Sequence, residues 1–178
     1  MHGLSLSAAD QAPTAPEWTA STWFNHPTGL TLAGLRGRVV VLHAFQLLCP
    51  GCVLHGLPQA QRIRATFTEE AVAVVGMHTV FEHHDAMGPA TLAAFLHEYR
   101  IGFPVAVDTP VPGRPVPKTM ADYALRGTPS LVLIDRAGRL RLNAFGRPDD
   151  LAVGAAIAAL VAEGPGGCDP EGCRAPGL

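Results

Sequence analysis

The chain has 178 residues, a length that fits one domain, and 48% of them are hydrophobic against 16% charged, which argues against a disordered protein. A net charge of -2 makes a nucleic-acid partner unexpected, because phosphate binding requires a concentrated basic face. No apolar run has the pattern of a signal peptide or the length of a membrane span. The sequence therefore predicts a cytoplasmic protein that has no membrane partner.

The first half of the chain alternates between predicted strands and helices. Residues 1–17 are polar and contain two prolines, so we expect a loose lead-in, followed by short extended pieces up to residue 35. The continuous apolar run over 39–45 predicts a central strand that is buried on both faces. Apolar residues at helical spacing predict a helix over 53–67 with a kink at Pro58, and a second buried strand is expected over 71–77.

The second half continues with a predicted helix over 91–99, a short strand over 103–107 and a proline-rich loop over 109–117. A short helix over 118–125 precedes two hairpin strands over 131–135 and 140–145. A final helix begins at 148–150 and ends at Gly164, and residues 165–178 are expected to form a flexible tail. This order predicts one α/β domain over 18–164 with a sheet of mixed strand direction.

The strongest chemical signal is the segment Cys49-Pro50-Gly51-Cys52, which follows the predicted central strand and opens a helix. A C-x-x-C pair in this position is typical of a redox-active dithiol. Unpaired backbone N–H groups at a helix N-terminus favour a negatively charged sulfur, so Cys49 is the candidate nucleophile toward a partner disulfide. Cys52 would then resolve the mixed disulfide. Zinc ligation, or two inert core thiols, are the alternatives.

With these motifs, the sequence resembles the TlpA-like (AhpC/TSA-related) branch of the thioredoxin superfamily over residues 18–161. The resemblance rests on the step over 35–38 (Leu-Arg-Gly-Arg), the strand, the C-x-x-C pair and a Gly-Thr-Pro over 127–129 before a strand that closes in Ile-Asp. It implies a thioredoxin-like fold, in which helices flank a central mixed sheet. It also implies an extended N-terminal segment and an insertion over 77–104, after the second core strand.

The same resemblance implies roles for two further residues and a class of partner. Pro129 would be cis and lie against the cysteine pair, and Thr128 would offer backbone hydrogen bonds to a bound peptide. The expected activity is that of a thiol–disulfide oxidoreductase acting on protein or small-molecule disulfides and dithiols. Neither a cofactor nor a metal is expected.

Three further residues carry hypotheses with open alternatives. His43 stands six residues before Cys49, where an imidazole could relay a proton to or from Cys52, or could be a core histidine bonded to backbone. A second pair, Cys168 and Cys173, hereafter the tail cysteines, could close a small loop and exchange electrons with the first pair. Otherwise the tail cysteines are incidental or structural thiols, or share zinc with the first pair.

Two other functions compete with thiol–disulfide exchange. The segment from Phe45 to Pro50 is similar to the Phe-x-x-x-Cys-Pro segment of peroxiredoxins, which makes a thiol peroxidase using Cys49 the second hypothesis. That family places Thr three residues before its cysteine, where this chain has Gln46, and an Arg close to the position that Pro129 takes. The third hypothesis is a non-catalytic binding module with a thioredoxin fold, against which the presence of both cysteines argues.

Overall fold

A six-stranded sheet, in the order β1-β4-β3-β2-β5-β6, forms the centre of the computed structural model, which describes residues 4–164. β2, β3 and β4 are parallel, whereas β1, β5 and β6 each run antiparallel to a neighbour. This is the mixed sheet that the sequence predicts. The strands are β1 (Ala20–Phe24), β2 (Val39–Phe45), β3 (Val72–His78), β4 (Val105–Asp108), β5 (Ser130–Ile134) and β6 (Leu140–Phe145).

Helices cover both faces of this sheet. They are α1 (Leu57–Thr66), α2 (Pro89–Glu98), α3 (Lys118–Asp122) and α4 (Asp150–Ala162). Apolar side chains of α1, α2 and α4 join one core cluster, and those of α3 join a second cluster with residues from the segment before β2. β2 contributes alternate residues to the two clusters, so its continuous apolar sequence reflects burial on both faces.

The chain around the cysteine pair differs from the single helix predicted over 53–67. A π-helical turn, Cys52–Gly56, precedes α1, and Pro58 lies in the first turn of α1. Residues 50–66 are helical without a break, so Pro58 has a helical turn before it; its ring crowds that turn, and its missing N–H leaves one backbone carbonyl there without its usual helical partner. The irregularity therefore falls before Pro58, at the residues that follow Cys52. Single-turn π segments of this kind occur frequently at functional sites.

The N-terminal segment is held against the sheet, contrary to the loose lead-in expected over 1–17, as far as residues 4–17 are described. The N–H of Ser7 donates to the carbonyl of Arg141 at 2.9 Å, and the N–H of Ala15 donates to that of Gly138 at 2.9 Å. Ala15 is also buried in the core. This segment covers the outer edge of β6, and covering an edge strand satisfies backbone groups that would otherwise be free to pair with another chain.

Residues between β3 and β4 form the expected insertion, which contains a short 3-10 turn, His84–Ala86, and α2. In the part of the chain from 4 to 164, no helix reaches the length and apolarity that a membrane crossing requires.

Candidate active site

The two cysteines of the C-x-x-C segment meet at the carboxyl end of β2. Cys49 is half-buried, whereas Cys52 is fully buried, and both are free thiols. The backbone N–H of Cys52 donates to Sγ of Cys49 at 3.2 Å, and Sγ of Cys49 donates to the carbonyl oxygen of Thr128 at 3.4 Å. One sulfur is thus reachable at the start of a helix with an N–H directed at it, and the second lies behind it.

The environment of Cys52 holds this residue in its thiol form. Burial raises the pKa of Cys52 well above its ordinary value, and the hydrogen bond with Cys49 raises it further. A thiol is a weak nucleophile compared with a thiolate, so the buried residue is the less reactive member of the pair before exchange begins.

The loop that faces the cysteine pair comes from the start of β5. The Thr128–Pro129 peptide bond is cis, as the family resemblance implies. Pro129 packs on the helix that the cysteines open, because a Cβ added to Gly51 would lie 3.3 Å from Cδ of Pro129, and one added to Gly56 would lie 3.1 Å from its Cβ. The structure therefore brings Thr128, Pro129, Cys49 and its neighbouring turn together.

His43 lies beneath the same turn, on the face of β2 that carries Phe45. Its side chain is 2% exposed, and a Cβ added to Gly56 would come within 2.5 Å of its Nε2. Neither ring nitrogen has a hydrogen-bond partner among the residues that the structure describes. Burial lowers the pKa of His43 from 6.5 to about 4, so the imidazole is neutral at pH 7. Because neither ring nitrogen has a partner over residues 4–164, His43 is not the backbone-bonded core histidine that the sequence offered as the alternative.

Two further buried polar residues lie at the ends of β2 and β3 and are not among the site residues that the sequence predicts. Gln46 is 1% exposed and lies between the loop of Thr128 and the loop that follows β3. His78, at the end of β3, is 1% exposed and packs against Phe45, with ring centroids 5.4 Å apart. A polar residue at the end of an otherwise apolar strand run was the signal available in the sequence for both.

The remaining groups with metal-binding or redox chemistry lie away from this site or outside the described residues. The tail cysteines lie beyond residue 164, outside the described residues. Over residues 4–164, no group of three or more histidine, cysteine and acidic side chains is arranged to hold a metal ion. The polar run His83-His84-Asp85, in the insertion after β3, is exposed.

Solved structures of similar proteins match most of the length of this chain. No model of a known protein family matches, and no curated protein matches either. Among solved structures, a thioredoxin-like superfamily protein is 60% identical, with 85% of this chain and 98% of that chain covered and a TM-score of 0.83. A thiol-disulfide isomerase from Corynebacterium glutamicum is 50% identical, with 86% and 99% covered and a TM-score of 0.83.

The mixed sheet, the cysteine pair at the head of a helix and these relatives define a thiol–disulfide oxidoreductase of thioredoxin-like fold. The chain belongs to the thioredoxin superfamily, in its TlpA-like branch.

Proposed function

We propose that this oxidoreductase works by dithiol–disulfide exchange in which Cys49 is the nucleophile and Cys52 the resolving thiol. One observation carries the assignment: Sγ of Cys49 is reachable and accepts a hydrogen bond from the N–H of Cys52, whose own side chain is fully buried. A hydrogen bond from an N–H stabilises a thiolate more than a thiol, which suits the half-buried but reachable sulfur of Cys49 to attack.

The reaction balances in two steps. In the first, the Cys49 thiolate attacks one sulfur of a partner disulfide, a mixed disulfide forms, and the other partner sulfur leaves as a thiolate and takes up a proton. In the second, Cys52 loses its proton and attacks Sγ of Cys49, which releases the second partner thiol. Two electrons pass to the partner, and the chain ends with a Cys49–Cys52 disulfide; the reverse sequence oxidises a dithiol.

Thr128 and Pro129 form the wall against which a partner peptide binds in this proposal. The carbonyl of Thr128 lies 3.4 Å from Sγ of Cys49, so a backbone paired with Thr128 would run directly past the attacking sulfur. Pro129 keeps this wall in contact with the helix through its packing on Gly51. Holding the two reacting sulfurs side by side is a source of rate in itself, because it replaces a bimolecular encounter by an oriented one.

His43 is the transient proton carrier for Cys52 in the second step. Support comes from its place under the π-helical turn that begins at Cys52 and from two ring nitrogens without other partners among residues 4–164. Since burial holds the pKa of His43 near 4, the imidazole takes the Cys52 proton only while Cys52 attacks Sγ of Cys49, and it gives that proton to the partner thiolate that leaves. His43→Leu is therefore expected to slow the resolving step and to alter its pH profile, whereas the attack by Cys49 keeps its rate.

Reduction of insulin, with dithiothreitol as the source of electrons, tests the exchange. Cys49→Ser is expected to abolish the activity, whereas Cys52→Ser is expected to accumulate a mixed disulfide between Cys49 and the partner, visible by non-reducing electrophoresis and mass spectrometry. His97→Gln is the control, because the side chain of His97 is 86% exposed on α2 and takes no part in the exchange. Rapid turnover of hydrogen peroxide without any disulfide reduction would instead favour the peroxidase hypothesis.

Three further expectations from the sequence remain proposals. Residues 18–164 form the thioredoxin-like domain, and the tail cysteines act as a relay that exchanges with the active pair. The chain is cytoplasmic, which fractionation of cells that carry the tagged full-length protein tests.

A further inference from the structure

Gln46 is a buried polar residue at the point where β2 ends and the cysteine segment begins. Its side chain is 1% exposed, although it stands three residues before Cys49 at the rim of the site. A buried carboxamide is costly unless its donors and acceptors find partners. The partners that Gln46 has are therefore informative about why it lies there.

Those partners belong to two different loops. Nε2 of Gln46 donates to Oγ1 of Thr128 at 3.5 Å and to Oε1 of Glu82 at 3.4 Å, and its Oε1 accepts from the backbone N–H of Phe81 at 3.3 Å. Each of these hydrogen bonds is long, so none of them is strong alone. Together they connect the loop that touches Cys49 with the loop that follows β3.

The consequence concerns the groove beside the nucleophile. The hydroxyl of Thr128 accepts a hydrogen bond from Gln46, and the carbonyl oxygen of the same residue lies 3.4 Å from Sγ of Cys49. A shift of the Gln46 carboxamide therefore moves the backbone that a partner peptide would pair with. The insertion loop at Phe81 and Glu82 moves with it, because it depends on the same side chain.

We propose that Gln46 is a positioning residue for docking of partner proteins, through the contacts by which it fixes the Thr128 loop and the Phe81–Glu82 loop relative to Cys49. The inference rests on the proposed exchange reaction and adds a determinant of how large partners are recognised. A small disulfide reaches Cys49 without pairing to Thr128, so its reaction does not depend on Gln46. A peptide or protein disulfide does.

Gln46→Ala tests this with two substrates, insulin and the uncharged small disulfide 2-hydroxyethyl disulfide. We expect kcat/KM for insulin to fall about tenfold, mostly through a higher KM, because a displaced wall costs orientation. The rate with 2-hydroxyethyl disulfide is expected to change by less than about twofold, since only the sulfur chemistry is involved. Gln61→Ala is the matched control, because Gln61 is a half-buried glutamine of α1 whose side chain bonds to the backbone carbonyls of Tyr99 and Arg100, just after α2.

If Gln46→Ala does not fold, moving the negative charge from position 82 to position 46 provides a second test of the role of Gln46. Gln46→Glu alone sets two carboxylates against each other and is expected to weaken insulin reduction about tenfold. Adding Glu82→Gln restores a donor on the facing side chain, and the Thr128 hydroxyl can donate to the new carboxylate, so insulin reduction is expected to recover to within about threefold.

Unfolding midpoints in urea are measured for every variant alongside these rates. An unchanged KM for insulin in folded Gln46→Ala, an equal loss with both disulfides, or no recovery in the charge-exchanged pair would overturn the inference. Failure of the unaltered chain to reduce either disulfide would count instead against the proposed exchange reaction.

Discussion

Mild acid is expected to destabilise this protein through two buried histidines, His43 and His78. They are 2% and 1% exposed, and neither ring has a hydrogen-bond partner within the described part of the chain. Burial lowers the pKa of each from 6.5 to about 4. Unfolding exposes both rings to water, where they recover their ordinary affinity for protons.

The direction and the size of the change in stability with pH follow from the difference between the folded and unfolded pKa values of these rings. Below pH 6.5 the unfolded chain binds a proton at each ring and the folded chain does not, so stability falls as the pH drops and levels off below about pH 4. At pH 5 the loss relative to pH 7 is about 2 kcal/mol for each ring, or about 4 kcal/mol together. That is a large part of the stability of an ordinary domain.

Urea unfolding at pH 7, 6 and 5 measures this loss directly. The variant His43→Leu/His78→Leu is expected to lose far less stability over the same interval, whereas His97→Gln is the control, because the side chain of His97 is 86% exposed. Asp150 does not interfere, since its pKa is lowered from 3.8 and it titrates below this range. A stability that stays constant from pH 7 to 5, or an undiminished loss in the leucine variant, would refute the reasoning.

Three more outcomes are expected. Gly56→Ala brings a methyl group within 2.5 Å of Nε2 of His43, so it should lower the free energy of unfolding in urea by about 1–3 kcal/mol and slow insulin reduction. Gly154→Ala, in open space on α4, should raise the free energy of unfolding by about 0.5–1 kcal/mol. Asp149→Ala removes the cap that accepts two backbone N–H groups of α4 and should cost about 1 kcal/mol, measured in the same assay. Changing both tail cysteines to serine should slow exchange with an external dithiol in stopped-flow experiments, and an unchanged rate would exclude the relay.

Much of the fold and the core of the site could be predicted because their signals are local. The apolar run of β2 and the C-x-x-C segment that follows it are continuous in sequence, and strand and helix starts are set by neighbouring residues. The Thr128–Pro129 pair was predicted through the family resemblance, and the structure places it beside Cys49. β4 begins two residues later than expected, at Val105, directly after Pro104, which has no N–H for a strand ladder.

The remaining features depend on contacts between distant parts of the chain. Gln46 gains its meaning only from Phe81 and Thr128, which lie 35 and 82 residues away in sequence. The lead-in is polar and contains prolines, yet its backbone pairs with a sheet edge that no local pattern reveals. The π-helical turn at Cys52–Gly56 fits over His43, a neighbour from β2. Tertiary packing overrides local preference at each of these places.

Equilibration of the full chain with graded mixtures of reduced and oxidised dithiothreitol, followed by thiol trapping and peptide mass mapping, tests the central assignment most directly. We expect Cys49 and Cys52 to convert together, in one two-electron transition, into a disulfide that links them. A titration in which the two thiols remain unpaired across the whole range, or in which Cys49 pairs only with a residue other than Cys52, would contradict this account.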